Sequence, residues 1–197
     1  MGENNFNLPP GFRFYPTDEE LVVHFLQRKA ALLPCHPDVI PDLDLYPYDP
    51  WDLHGKAMGE GNKWYFYSRR TKSRVSGSGY WQSIGVEEPI YSSTNGHNVI
   101  GLKKYSAFYI GEPSGSQAVK TNWIMQEYRL SSDSTSSTRS STSSRRSRNS
   151  KNIIDYSKWV ICRVYEYNDE DDDGAELSCL DEVFLSLDDL DEISLPN

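Results

Sequence analysis

From Lys63 to Tyr165 the chain repeats one kind of segment, a short run rich in aromatic and β-branched side chains, with glycine, serine and asparagine among the residues that separate the runs. Trp64–Ser68, Gly79–Ile84, Asn98–Leu102, Lys103–Ile110, Thr121–Arg129 and Lys158–Tyr165 all have this character. Such side chains suit a pleated, half-buried surface, and the breaks between them suit reversals of the chain. The pattern predicts a mostly antiparallel β-sheet. Before its last strand stand residues 131–150, with 11 serines, 3 threonines, 4 arginines and no aliphatic residue. Such a composition does not offset the entropy of ordering. We read 131–157 as a disordered loop inside one domain, 1–165, because Trp159–Tyr165 beyond it is core material.

The N-terminal end has a different grammar. Residues 8–16 are too proline-rich for a helix and too aromatic for a free linker, so they are expected to run extended across a surface. Thr17-Asp-Glu-Glu20 has the form of a capping box. Leu21, Val22, Phe25, Leu26, Leu32 and Leu33 follow at helical spacing and predict a helix from about 18 to about 32. Prolines then punctuate residues 34–50, leaving room for a short strand or turn at Asp42–Tyr46 and a helical turn at Asp49–Trp51. The fold class is α+β: a twisted, mostly antiparallel sheet flanked by a few helices.

Charge is segregated. Residues 1–60 carry 10 acids and 4 bases, residues 61–165 carry 6 acids and 16 bases, and residues 166–197 carry 13 acids and no base. The net charge of −9 hides a basic centre between acidic ends. Within that centre lie the aromatic run Trp64–Tyr67, the cations Arg69, Arg70, Lys72 and Arg74, and a glycine-hinged Tyr80-Trp81. Clustered cations interleaved with aromatics suit a polyanion.

Other function classes find little support. Three scattered cysteines, with no CxxC or CxxH spacing, make neither a disulfide framework nor a zinc site and imply a reducing compartment; neither metal nor cofactor is expected. Nothing approaches the roughly 18 apolar residues of a membrane span, the N-terminus lacks signal-peptide character, and Phe6 stands where a myristoylation motif needs Ser or Thr. The four histidines lie in unrelated contexts, no GxSxG is present, and Gly55–Gly61 lacks the Lys-Ser/Thr of a phosphate loop. The chain reads as a soluble intracellular protein that is not an enzyme.

The segment Leu8–Leu21, reading LPPGFRFYPTDEEL, resembles the opening signature of the plant NAC transcription factors. So, in the family's order, do Trp64–Ser68, Gly77–Trp81, Gly101–Lys104, Phe108–Gly111, Lys120–Leu130 and Trp159–Tyr165. The short acidic tail and compact loop are most similar to the xylem-associated branch. The resemblance implies a nuclear, metal-free dimer that binds double-stranded DNA through a sheet edge in the major groove, in the setting of vessel and secondary-wall differentiation. It also implies a dimer interface through Leu8, Arg13 and Glu20, with Arg13 and Glu20 paired reciprocally across a two-fold axis. From the residues alone, Glu20 serves a helix cap or such a pair equally well. The partner is a second copy or another NAC protein.

By the same resemblance, Arg74 matches the main DNA-contacting arginine and Tyr80 a tyrosine that approaches bases. Arg69, Arg70, Lys72, Lys103, Lys104 and Lys120, with Lys63 in reserve, are candidates for the phosphate backbone, and Gln82 for adenine. The chain also departs from the pattern. Gln82 replaces the lysine of the Trp-Lys-Ala-Thr-Gly strand, Glu88 and Glu112 stand near usual lysines, and the stretch between Ser68 and Arg74 is short. Each lost phosphate contact lowers the salt slope by about 0.9. Weaker DNA binding or an altered preference follows as an expectation.

The tail 166–197 reads as a disordered acidic regulatory segment. Leu177-Ser-Cys179-Leu-Asp181 is one methylene short of the Leu-x-Cys-x-Glu peptide that docks on retinoblastoma-type pocket proteins, and that mode wants an extended peptide. Apolar spacing through Leu180, Val183, Phe184, Leu187 and Leu190 instead suits an amphipathic helix in a coregulator groove. The blander reading is a solvated tail that shields the basic centre. Arg145–Arg148 suits nuclear import, a phosphate clamp or a linker. A rival to direct DNA regulation is an interaction protein of the same fold that acts by heterodimerisation or through its tail.

Overall fold

The computed structural model describes residues 11, 13–44, 48–72, 74–94, 96–115, 117–131 and 158–168. The candidate residues Leu8, Leu177, Cys179, Asp181, Phe184 and Leu187, the serine loop after Ser131 and the tail beyond Asn168 lie outside them. The α+β class holds, with one helix and one 3-10 turn among the described residues rather than several helices.

The helix begins where the capping box puts it. The Glu20 amide donates to Thr17 Oγ1 at 3.1 Å, and the Thr17 amide donates to Glu20 Oε2 at 2.8 Å. It runs as α-helix over Asp18–Glu20, π-helix over Leu21–Leu26 and α-helix over Gln27–Ala30. Leu21, Val22, Phe25, Leu26 and Ala30 are buried. Its end is a Schellman motif: the Leu33 amide donates to Arg28 O, the Leu32 amide to Lys29 O, and Leu32 takes a left-handed φ of 57°. The 3-10 turn Pro50–Leu53 starts one residue later than the sequence pattern suggests, with Asp49 as its cap.

Six strands form one antiparallel sheet: β1 Met58–Glu60, β2 Lys63–Arg69, β3 Gly79–Tyr91, β4 Val99–Ile110, β5 Val119–Leu130 and β6 Trp159–Glu166. Their order is β1-β2-β6-β5-β4-β3, so β3 is one rim of the sheet. Two sequence readings need correction. The segments 98–102 and 103–110 are a single strand, and β3 continues past Ile84 to Tyr91 across a bulge at Gly85, whose φ is 64°. Pro89 within β3 is tolerated because a rim strand leaves one row of backbone groups free of the ladder.

The break expected near Gly101 is a site of close approach. A β-carbon there would stand 2.9 Å from both Arg129 O and Val22 Cγ2, so glycine lets the helix settle against β4. Val22, Phe25 and Leu26 pack there with Tyr65, Tyr67, Tyr128, Ile161 and Ile90. The opposite face of the sheet carries Phe66, Trp81, Phe108, Met125 and Val164, closed by Leu53 and Ala57 around the 3-10 turn. Ile84, Tyr105, Ala107 and Ile124 form a third cluster, joined by Tyr165 and Tyr167. Order therefore extends past residue 165: β6 ends at Glu166, and the Tyr167 amide donates to Asn122 O. Among the described residues no helix is long and apolar enough to cross a membrane.

Candidate nucleic-acid interface

As a sheet edge, the rim strand β3 presents side chains of both faces together with free backbone groups. Its outer edge is covered at the start. Val75 bridges Tyr80, the Trp81 amide donates to Arg74 O at 2.8 Å, and the Ser76 amide donates to Gly79 O at 2.8 Å. Beyond Trp81 there is no further bridge to an outer neighbour among the described residues, and Gln82, Ser83, Gly85 and Val86 are exposed. Tyr80 stacks on Tyr109 with ring centroids 5.5 Å apart, and cross-strand pairing puts Lys120 opposite Tyr109. Tyr80, Gln82 and Lys120 thus share one face near the rim.

The other face carries a charged cluster. Arg129 grips Glu87 through two hydrogen bonds of 2.7 and 2.6 Å, Arg74 Nη2 lies 3.2 Å from Glu127 Oε2, and Lys104 pairs with Glu127 in register. The Arg129 hydrogen bond holds the Glu87 carboxyl below its ordinary pKa, with the charges of Lys104 and Arg70 acting in the same direction. Arg70, Arg74, Lys104 and Arg129 outnumber Glu87 and Glu127 here. Lys72 is exposed on the segment that leads to Arg74.

Two candidates are either distant from β3 or already engaged. Arg69 lies over the Trp159 ring at 4.5 Å, and β2 is separated from β3 by three intervening strands. Lys103 is enclosed by Asp18 and Glu88, each 3.0 Å away. Burial opposes its charge, but hydrogen bonds with Tyr105, Asp18 and Glu88 and the Asp18 charge prevail, and its pKa lies above that of an ordinary lysine. An ammonium held between two carboxylates has no surplus charge for a phosphate. The same contact absorbs Glu88, which in the bare sequence counts as a repulsive charge. Glu112 is exposed, beyond the end of β4.

Arg74 is also not a free cation. Its side chain is only 21% exposed, and its Nη1 is buried with no hydrogen-bond partner among the described residues. The segment carrying it is tied to Asp49, which accepts from Ser76 Oγ at 2.6 Å, Ser78 Oγ at 2.6 Å and the Ser78 amide at 3.0 Å. Burial raises the Asp49 pKa, but these bonds outweigh it and hold the carboxyl below its usual value.

A family model described as "No apical meristem (NAM) protein" matches residues 9–130. The chain belongs to the NAC family of plant transcription factors. NAC domain-containing protein 104 of Arabidopsis thaliana is 72% identical over 193 residues, covering 96% of this chain and 100% of the relative. NAC transcription factor 56 of Arabidopsis thaliana is 40% identical over 192 residues, covering 92% of this chain and 51% of the relative. NAC domain-containing protein 10 of Oryza sativa subsp. japonica is 46% identical over 191 residues, covering 89% and 44% respectively. The chain spans all of the first relative and about half the length of the other two.

In this NAC domain Arg13 and Glu20 line one groove of about 390 Å³ together with Tyr15, His24 and Pro37. Both are exposed, and Glu20 already serves the helix cap. Sequence reasoning missed Asp49, Glu127 and Asp18, which organise the charged groups. Asp18 accepts from Tyr128 Oη at 2.7 Å and pairs with Lys103 and Arg163. Burial raises its pKa, but the Tyr128 hydrogen bond and the two cations prevail and hold it low.

Proposed function

We propose that this NAC protein is a nuclear transcription regulator that binds double-stranded DNA as a dimer, presenting the open length of β3 to the major groove. The observation that carries this reading is the rim position of β3, with Tyr80 and Gln82 on one face and a surplus of cations on the other. A two-stranded ribbon fits the major groove, where each base pair shows a distinct pattern of donors, acceptors and methyls. Gln82 is placed to pair with adenine, while Arg70, Lys72, Lys104 and Lys120 supply backbone contacts. Arg69 lies apart from that rim, and Lys103, held between Asp18 and the rim residue Glu88, contributes indirectly. Leu8, Arg13 and Glu20 form the isologous contact with a second copy or another NAC protein.

The setting we infer from family resemblance is xylem differentiation and secondary-wall formation. Residues 166–197 recruit a coregulator or a pocket protein through Leu177, Cys179, Asp181, Phe184 and Leu187. The replacement of a lysine by Gln82 favours a second reading, in which DNA contact is weak and output comes from heterodimers or the tail. Selection of bound duplexes by the purified dimer, followed by a salt titration, tests the first reading. A steep inverse dependence of affinity on salt is expected. No binding to any duplex in dilute buffer would leave only the second.

A further inference from the structure

The chain leaves the sheet from β6 on a course that the neighbouring strand sets. Trp123 lies opposite Glu166, and one step further the Tyr167 amide donates to Asn122 O at 2.8 Å. The backbone is thus still led along β5, toward its Lys120 end, at the last of the described residues, Asn168. Immediately after it stand five consecutive acids, Asp169-Glu-Asp-Asp-Asp173, within a tail 166–197 that carries 13 acids and no base.

Cross-strand register shows which face lies along that course. Residues directly opposite in an antiparallel ladder share a face. Gln82 on the rim lies opposite Ala107, Ala107 opposite Ile124 and Ile124 opposite Tyr165, so one row crosses from the proposed DNA edge to β6. Tyr80, Tyr109 and Lys120 form the adjacent row on the same face. Tyr109, Tyr165 and Tyr167 pack against one cluster there. Three strand spacings, about 14 Å in all, separate β6 from the rim. At about 3.3 Å per extended residue, the five acids can cover that distance.

The surface they meet has matching chemistry. Lys120 supplies an ammonium, and Tyr80 and Tyr109, stacked 5.5 Å apart, supply phenolic hydroxyls. Burial, with Tyr80 adding to it, raises the Tyr109 pKa, so this hydroxyl keeps its proton. An ionised carboxylate only accepts hydrogen bonds and suits such donors, and a DNA phosphate asks for the same ones. Acids on the same chain also reach the donors at high effective concentration.

We propose that the run Asp169–Asp173 seats on Lys120 and the Tyr80–Tyr109 pair of its own chain, covering part of the face offered to DNA, so that tail and DNA compete and a protein that takes up the tail opens the face. The seat stands on register and charge, while its competition with DNA rests on the DNA-binding reading. The tail then does two things at once: capture of a coregulator and release of the DNA face become a single event.

Carbodiimide, which joins a carboxylate to an amine only where they touch, tests the seat on the full chain without DNA. A link from Lys120 to the 169–173 run is expected, and mixing isotope-labelled with unlabelled protein shows that it forms within one chain. No such link, or one formed only between chains, would overturn the proposal.

Affinity for a duplex selected with the wild type tests the competition. The variant Asp169→Asn, Glu170→Gln, Asp171→Asn, Asp172→Asn and Asp173→Asn should bind about five-fold more tightly per protomer, the scale of one surface ion pair. Glu182→Gln, Asp188→Asn, Asp189→Asn, Asp191→Asn and Glu192→Gln together remove the same charge farther along the tail and should gain less than about two-fold. In a Lys120→Gln background the gain from the first set should shrink to that level as well. Equal gains from the two sets would show diffuse repulsion in place of a seat, and no gain from the first set would remove the competition. Should neither the wild type nor the variants bind any duplex, the DNA reading falls, and the cross-link still decides whether the seat exists.

Discussion

Gln82→Lys is the perturbation that most directly weighs the DNA interface. Gln82 stands exposed on the open edge of β3, opposite Ala107. The two carboxylates that follow it in the strand are engaged, Glu87 by Arg129 and Glu88 by Lys103. A lysine at 82 therefore adds an uncompensated cation where DNA is proposed to lie. One more neutralised phosphate steepens the salt dependence by about 0.9 per protomer, or about 1.8 for a dimer. Referred to about 1 M salt, where the counterion term vanishes, that slope is worth about five-fold per site at about 0.15 M, and about 30-fold for two. Anisotropy of a labelled duplex at several salt concentrations measures both numbers. Thr94→Lys adds the same charge on the exposed hairpin beyond Tyr91 and controls for net charge. Equal effects of the two substitutions, or no change in slope with Gln82→Lys, would refute the placement of β3 against DNA.

Three further outcomes concern the scaffold. Leu32→Gly should raise stability by about 1 kcal/mol, read as a higher urea midpoint at constant m-value, because Leu32 is 77% exposed at φ 57° and a β-carbon there costs about 1–2 kcal/mol. Gly101→Ala should destabilise by about 1–3 kcal/mol in the same assay, since its methyl group would press on the Arg129 carbonyl and on Val22. Asp18→Asn should cost about 2–3 kcal/mol by leaving Lys103 and Arg163 without their shared carboxylate. Because the Asp18 pKa is depressed on folding, its contribution is present above the unfolded value near about pH 4 and disappears as pH falls through the folded one. Wild-type stability should therefore fall with acid in that window, and Asp18→Asn should show a shallower fall.

What the sequence makes legible is local. The capping box needs only residues three apart, and the strand segments need only alternation among near neighbours, so the order of residues suffices to find both. β1 escapes because three residues, Met-Gly-Glu, carry no period. Gly101 looks like a break because its reason for being glycine, the approach of Val22, lies almost 80 positions away. The long-range polar contacts are invisible for the same reason: the ion pairs of Asp18 with Arg163 and Arg74 with Glu127, and the hydrogen bonds of Asp49 with Ser78, join distant segments whose partner choice leaves no periodic trace. The run from Arg69 to Arg74 shows the converse, since sequence neighbours separate in space. Arg69 stacks on Trp159 beside the helix while Arg74 turns under β5.

Those long-range contacts also join the two surfaces on which the proposed function depends. The helix that carries Glu20 begins at Asp18, and Asp18 reaches across to Lys103, which in turn holds Glu88 just past the β3 bulge. The neighbouring Glu19 accepts from the Ser93 amide at 3.0 Å and from Ser92 Oγ at 3.4 Å, tying the same helical turn to the hairpin after β3. The Ser93 hydrogen bonds hold the Glu19 carboxyl below its ordinary pKa. A dimer formed through Arg13 and Glu20 would therefore carry its two β3 rims at a fixed separation rather than on mobile arms. Fixed separation means a preferred spacing between half-sites, and weakening the tie should relax that preference before it lowers affinity for one half-site. Glu19→Gln removes the charge from the Ser93 contact while leaving the Thr17–Glu20 cap intact. Binding measured across duplexes whose half-sites differ in spacing by single base pairs should show a broader optimum for Glu19→Gln than for the wild type. An optimum of unchanged width would mean that the dimer surface and the rim are coupled through some other route.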